Sequence, residues 1–280
     1  MYTLPWHPPY DWEWMFAFLA ARAVDGVEKF EGRSYLRTLA IGEHRGVLRA
    51  VPDEEVALLR VTLSDGLLPV ADACLEKLNA LFDLRCDPLH ITAALGALAT
   101  DRPGLRLPGC VDPFEQGVRA VLGQLVSVAM AAKLAGRVAK ACGTPLAEAP
   151  GMVCFPTPAR LVQADPAMLK GLGMPLKRAE ALISLARAAL DGTLPLRAPE
   201  DVEQGMKALQ RLPGIGRWTA GYYALRGWLA RDVFLADDYL IKQRFAGMTP
   251  AAIRRYAERW QPLRSYALLH VWHSSGFIPD

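Results

Sequence analysis

The stretch LQRLPGIGRWTA occupies residues 209–220. Two glycines one residue apart, Gly214 and Gly216, follow Pro213 between two apolar helical patterns. Glycine tolerates backbone angles that side chains forbid, so this spacing marks a tight turn or a close approach. One helix is predicted to end near Arg211 and the next to begin near Arg217, giving a helix-hairpin-helix. Without Cβ atoms, successive backbone N–H groups can face outward at the second helix's N-terminus, a geometry that binds anions. Gly214, Gly216 and Thr219 are the expected grip on a phosphate, a contact that positions a protein on DNA without reading its sequence. For the four residues alone, a helix corner capped by glycine is the plainer alternative. The wider pattern LPGIGxxTA favours the hairpin.

Outward from the hairpin, helix starts recur in one form: Asp112-Pro113, Thr157-Pro158, Asp165-Pro166 and Thr249-Pro250. Each sets a capping side chain before a proline at the first helical position. Helices are expected at roughly 113–141, 158–164, 166–172, 175–191, 200–211, 216–229, 238–245, 249–260 and 263–274. Before Cys86 the pattern differs. A helix over 11–24, capped by Asp11, precedes three β-like stretches, SYLRTLAIG, GVLRAVPD and VALLRVTLS. The last alternates at Leu59, Val61 and Leu63, as a half-buried strand does. The short EHR connection predicts a hairpin between the first two, and VADACLEKLNALF reads as a helix. Residues 1–88 are thus a mixed α/β unit with an antiparallel sheet, and DRPGLRLPGCVD (101–112) is a candidate linker.

Composition narrows the classes. The chain has 280 residues, 52% hydrophobic and 22% charged, which suits globular domains with real cores. The N-terminus has no basic leader, and MFAFLAA (15–21) is too short to span a bilayer, so a cytoplasmic protein is expected. Five cysteines without a CxxC pair argue against a disulfide framework. His270 and His273 are one helical turn apart and could share a ligand, though one packed and one solvated histidine is the commoner outcome. Residues 1–88 carry 9 Lys+Arg against 14 Asp+Glu, net −5, and residues 89–280 carry 23 against 15, net +8. The basic part hints at a polyanion partner.

The hairpin, followed 20 residues after Trp218 by Asp238 within FLADDYLIKQRF, resembles the helix-hairpin-helix DNA glycosylase superfamily. The chain is similar to its bacterial branch of inducible 3-methyladenine glycosylases, the DNA-3-methyladenine glycosylase II type. That likeness runs nearly end to end, through PPYDWEWMFAFLAARA, LRLPGCVDPFEQGVRAVLGQLVSVAMAAKL, GMPLKRAEALI and RSYALLHVW. It implies a mainly α fold with an N-terminal α+β domain and an active-site cleft between two helical domains. The expected division is 1–88, then 113–230 with the hairpin, then 89–112 plus 231–280 with the catalytic Asp.

The resemblance also implies the chemistry. Glycosylases of this superfamily that cut the strand carry a lysine where this chain has Trp218, so a monofunctional enzyme using water is expected. Lys207 and Lys242 lie nearby in sequence and are read as solvated or phosphate-facing. Breaking an N-glycosidic bond builds positive charge on the sugar, which a close carboxylate stabilises. Asp238 is assigned that part. Its rival is Asp237, since one of two adjacent Asp at a helix start is ordinarily the cap for YLIKQRF. Close relatives often have proline before this pair, and here it is Ala236. A base cationised by alkylation needs no second acid to leave.

Trp218 and Tyr222, four residues apart, share a helix face. With Tyr239 and Trp272 they form, by the resemblance, an aromatic pocket for a cationic base. Core filling is the alternative for Trp272. Phe18 is expected in the core or on the pocket wall. The target nucleotide must be flipped out, and the resemblance makes Leu125, beside Gln124, an apolar wedge entering the minor groove. On its residues alone Leu125 reads as an ordinary buried leucine. No cofactor is required. The family allows a structural monovalent cation on the carbonyls of Gln210, Leu212 and Ile215. The expected partner is double-stranded DNA with alkylated bases, with no membrane association, bound by a monomer. The other readings are a bifunctional glycosylase/lyase acting on oxidised bases, disfavoured by Trp218, and a non-catalytic DNA-binding module, disfavoured by Asp238 and the aromatics.

Overall fold

The computed structural model describes residues 1–274 and 276–279. Five strands form one antiparallel sheet in the order β1-β5-β4-β3-β2: β1 Tyr2–Pro5, β2 Glu28–Glu31, β3 Ser34–Ile41, β4 His44–Asp53 and β5 Leu58–Leu63. The expected hairpin joins β3 to β4, with Ile41 opposite His44. The alternation read in β5 is real: Leu59, Val61 and Leu63 are buried. Two strands of this sheet escaped the sequence reading. Both β1 and β2 are four-residue edge strands with little alternation, and β2 (EKFE) is mostly charged, a common composition for an exposed edge. Helix α1 (Trp12–Ala20) is capped by Asp11, whose side chain accepts from the Trp14 amide at 2.9 Å. Helices α2 (Ala71–Phe82) and α3 (Pro88–Leu95) follow, α3 starting at an Asp87-Pro88 cap of the same kind as the four noted above.

The remainder is helical apart from β6 (Thr144–Pro145) and β7 (Val153–Cys154), a two-residue pair. The helices are α4 (Pro113–Leu122), α5 (Val128–Cys142), α6 (Pro158–Leu161), α7 (Pro166–Gly171), α8 (Leu176–Leu190), α9 (Val202–Leu209), α10 (Arg217–Gly227), α11 (Tyr239–Arg244), α12 (Pro250–Ala257) and α13 (Arg264–His273). All four cap-proline pairs start a helix, with the Asp or Thr side chain accepting backbone N–H groups. Helix α4 packs on both α8 and α10, which centres the helical core. Among the described residues no helix is long and apolar enough to cross a membrane. The five cysteines are free.

Two expectations need correction. The single helix over 113–141 is two helices broken at residues 123–127, because Leu125 adopts a left-handed φ of +55°. The segment 101–112 is no loose linker: residues 104–109 are buried, and Arg106 is fully so. Arg106 donates to the carbonyls of Cys86, His7 and Pro9, which satisfies backbone groups that irregular chain would otherwise strand in the core. The same 89–112 stretch also holds α3.

A buried ionic cluster joins the sheet to α4. Arg37 of β3 meets Glu115 at 2.7 Å, and Arg119 meets Glu28 of β2 at 2.9 Å and Glu115 at 3.0 Å. Tyr35 donates to Glu28 at 2.8 Å. Burial pushes the Glu28 carboxyl up, but Arg119 and Arg37 outweigh it and hold the group below its ordinary range. Two carboxylates and two guanidinium groups cancel, as buried charge requires. Arg119 also donates to the Arg22 carbonyl at 2.6 Å, fixing the chain just beyond α1.

Candidate active site

Residues Leu209–Ala220 fold as read. Helix α9 ends, the chain turns through Pro213–Gly216, and α10 begins at Arg217. Gly214 has φ +79°, and a Cβ there would come within 2.6 Å of the Ala181 Cβ on α8. Glycine is therefore required twice, by the turn and by the packing. Gly216 caps α10, is exposed, and has open space where a Cβ would point. Thr219 lies deeper, 3% exposed. Gln124 Nε2 donates to the Thr219 hydroxyl at 2.9 Å and to the Gly214 carbonyl at 2.7 Å. Thr219 thus ties the 123–127 loop to the hairpin.

That loop presents Leu125. Its side chain is fully exposed, which overturns the reading as a buried leucine. Left-handed backbone is costly for a branched residue. It is held here by Gln124 on the hairpin and by Arg178, which donates to the Gln124 carbonyl at 2.6 Å.

Behind Leu125 opens a cleft of about 1180 Å³. Phe18, Leu125, Trp218, Tyr222, Asp238, Tyr239 and Trp272 all line it, although they come from five separate parts of the chain. Trp218 and Tyr222 stack with centroids 5.0 Å apart and planes 8° apart, as the i, i+4 spacing on α10 predicts. Phe18 is buried on one wall. Tyr239 is 73% exposed at the rim.

Asp238 caps α11. Its Oδ1 accepts from the amides of Leu240 (3.0 Å) and Ile241 (3.2 Å) and from Trp272 Nε1 (3.2 Å); its Oδ2 accepts from Trp218 Nε1 at 3.0 Å. One of the two adjacent Asp does cap the helix, as expected, and it is Asp238, which also faces the cleft. Asp237 instead meets Arg254 at 3.5 Å and Arg217 at 3.9 Å. The division is electrostatic. Asp237 takes the cations, while Asp238 is surrounded by neutral N–H dipoles that hold it without cancelling its charge. Ala236 is buried, and the Asp238 amide donates to the Leu235 carbonyl at 2.9 Å, so the loop is fixed without proline.

Several lining residues were missed by the sequence reading: Trp14, Arg22, Arg226 and His273. Arg226 follows Tyr222 by four residues on α10, a helical signal that could have found it. Trp14 and Arg22 stand four residues to either side of Phe18 and carry the same signal, which His273 lacks. Arg226 donates to the carbonyls of Pro108 and Gly109 and to the Tyr222 hydroxyl, and Arg22 lies 3.6 Å over the Phe18 ring. Burial pushes the Tyr222 phenol up, but Arg226 and Arg22 more than offset it and bring it down to about 8. His270 is buried and His273 exposed, the commoner outcome for such a pair. Lys207 pairs with Glu203 at the surface, and Lys242 is exposed at the cleft.

Comparison with known proteins follows the same outline. Residues 1–112 match the family model for the AlkA N-terminal domain, and residues 118–264 match that for the HhH-GPD superfamily of base excision DNA repair proteins. The chain is 66% identical to DNA-3-methyladenine glycosylase 2 of Escherichia coli (strain K12), over 100% of the chain and 99% of that protein. It is 34% identical to a Mycobacterium tuberculosis protein named "Probable bifunctional transcriptional activator/DNA repair enzyme AlkA", over 96% of the chain and 56% of that protein. Among solved structures, a 3-methyladenine DNA-glycosylase from Archaeoglobus fulgidus superposes with a TM-score of 0.82 at 21% identity, over 97% of each chain, a likeness of fold.

Proposed function

The chain belongs to the HhH-GPD superfamily of base excision DNA repair proteins, and on that footing we propose how its cleft excises a base. It is a DNA glycosylase of the 3-methyladenine type, an N-glycosyl hydrolase. Its substrate is double-stranded DNA carrying alkylated bases, chiefly cationic alkylpurines, and it acts as a monomer in the cytoplasm. The carrying observation is Asp238: a carboxylate held by four neutral N–H donors, opening on a cleft lined by stacked aromatics.

The residues take these parts. Gly214 and Gly216 offer main-chain N–H groups to a phosphate at the start of α10. Leu125 enters the minor groove and fills the gap left by the flipped nucleotide. The flipped cationic base lies against Trp218, Tyr222, Tyr239 and Trp272, where cation–π attraction is worth roughly 0.5–2 kcal/mol per contact. As the glycosidic bond stretches, positive charge grows on C1′ and O4′, and Asp238 stabilises it without reorganising. Water then adds at C1′, its proton passing to Asp238 or to solvent, and the neutral base departs. The products are a free base and an abasic site. No redox group or catalytic metal is needed for these steps. The hairpin oxygens of Gln210, Leu212 and Ile215 are donors of the kind a hard monovalent cation takes, and Leu212 already shapes the turn by accepting from the Ile215 amide at 3.1 Å. A cation there would brace the phosphate grip.

The test separates this reading from a lyase. Wild-type protein is incubated with duplex DNA carrying methylated purines, then with duplex carrying an oxidised purine, with borohydride present or absent. Free methylated base and strands that break only after alkali are expected. A borohydride-trapped adduct, or no release from methylated duplex, would overturn it.

A further inference from the structure

Trp14 and His273 come from opposite ends of the chain, 259 residues apart, and meet at the cleft. Trp14 Nε1 donates to His273 Nε2 at 2.6 Å, and the rings pack edge to face with centroids 5.0 Å apart. On its other side Trp14 leans on Phe18, centroids 5.2 Å apart. His273 is the last residue of α13, directly after Trp272. Trp272 in turn donates to Asp238 Oδ1 at 3.2 Å. A path of hydrogen bonds and one covalent step therefore runs from α1, across the cleft wall, to the carboxylate.

The location gives the contact its purpose. Trp272 and His273 occupy the last turn of α13, where helices fray. An indole that must stay aligned on a carboxylate is poorly served by a loose helix end. The tie from α1 supplies an anchor that sequence neighbours cannot. The chemistry of the pair is settled by its donor: an indole N–H can only donate, so Nε2 must be bare and the ring proton must sit on Nδ1. The surroundings support that state. Although the residue is exposed at the rim, desolvation of its ring against Trp14, and then Arg102, push the His273 imidazole down, with Asp11 opposing and Arg22 adding, to about 4.

We propose that His273 is a positioning residue for base excision: by accepting the Trp14 indole N–H it holds the last turn of α13, and with it Trp272, in register with Asp238. The inference rests on the glycosylase reading. His273 itself need not touch the base. Small misplacements of a reacting group are expensive in rate, so loss of the anchor appears in the chemical step and not in DNA affinity.

The experiment uses the full chain and methylated duplex. Single-turnover base release at saturating enzyme, affinity for duplex and melting temperature are measured for wild type, His273→Ala, His273→Gln, Trp14→Phe and the double variant His273→Ala/Trp14→Phe. His273→Ala should slow release about fivefold to tenfold, the scale of one lost hydrogen bond, and leave duplex affinity within about twofold. His273→Gln, whose Oε1 can accept, should recover to within about twofold of wild type. The double variant should be no slower than the slower single, because both remove the same contact. A wild-type rate in His273→Ala overturns the proposal. So does an equal loss in His273→Ala and His273→Gln that follows melting temperature, since that is a structural effect alone. If wild type itself releases no base, the glycosylase reading fails first, and this inference falls with it.

Discussion

Two sets of carboxylates in this protein are held in opposite ways. Glu28 and Glu115, at the junction of the sheet and α4, are matched by Arg37 and Arg119 within 3.0 Å, so their charges cancel. Asp238 is held by two indole and two main-chain N–H groups, none of them charged. Even the nearby arginines are drawn to its neighbour, Asp237. Matched charge is structural and chemically spent. A charge fixed by neutral dipoles is preorganised and still available to a cation that forms beside it. On the proposed function, the contrast separates the part of the molecule that holds shape from the part that does chemistry.

The contrast can be broken at its structural end first. Arg119→Ala leaves Glu28 and Glu115 short of a partner, and breaking a buried pair in this way should cost about 3–5 kcal/mol, read as a lower denaturation midpoint with wild-type slope. Tyr222 is the intermediate case, a cleft group steered by charge. Its phenol titrates near 8 in the folded protein, below its ordinary 10.0. A depressed acid stabilises the fold where it is ionised, so stability should rise between about pH 8 and 10, by about 3 kcal/mol, and be lost as pH falls through 8. Tyrosinate absorbance should show that midpoint in wild type and lack it in Tyr222→Phe. Leu125→Ala removes the exposed side chain proposed as the wedge and should leave melting unchanged, while base release from duplex falls about tenfold and release from single strands far less. Asp237→Asn, which touches only half-exposed ion pairs, should change rate and stability by under about 1 kcal/mol.

Much of this was legible in the sequence, for physical reasons. The hairpin announces itself because turns need glycine at particular positions, as Gly214 shows by its angle and its contact with Ala181. Cap-proline pairs announce helix starts because the chemistry is local. The stacked pair Trp218 and Tyr222 follows from helical spacing alone. Edge strands β1 and β2 were missed because their pattern is not set by burial on one face. The ionic cluster was invisible because Glu28 and Arg119 stand 91 residues apart, and no local rule links them. The contact of Trp14 with His273 was hidden for the same reason. The double duty of Asp238, as helix cap and cleft carboxylate, escaped because sequence treats the two roles as rivals. In the fold they are one geometry: the cap orients the side chain that faces the cleft.

The most direct test of this account is the single-turnover rate of base release from methylated duplex by Asp238→Asn relative to wild type, taken at a temperature where both are folded. Asparagine caps a helix about as well as aspartate, so the melting temperature should hold while the charge is lost. The rate should fall by about a hundredfold to a thousandfold at unchanged duplex affinity. A variant that melts earlier yet releases base at the wild-type rate would contradict it, and would place Asp238 with the matched charges that only hold the fold.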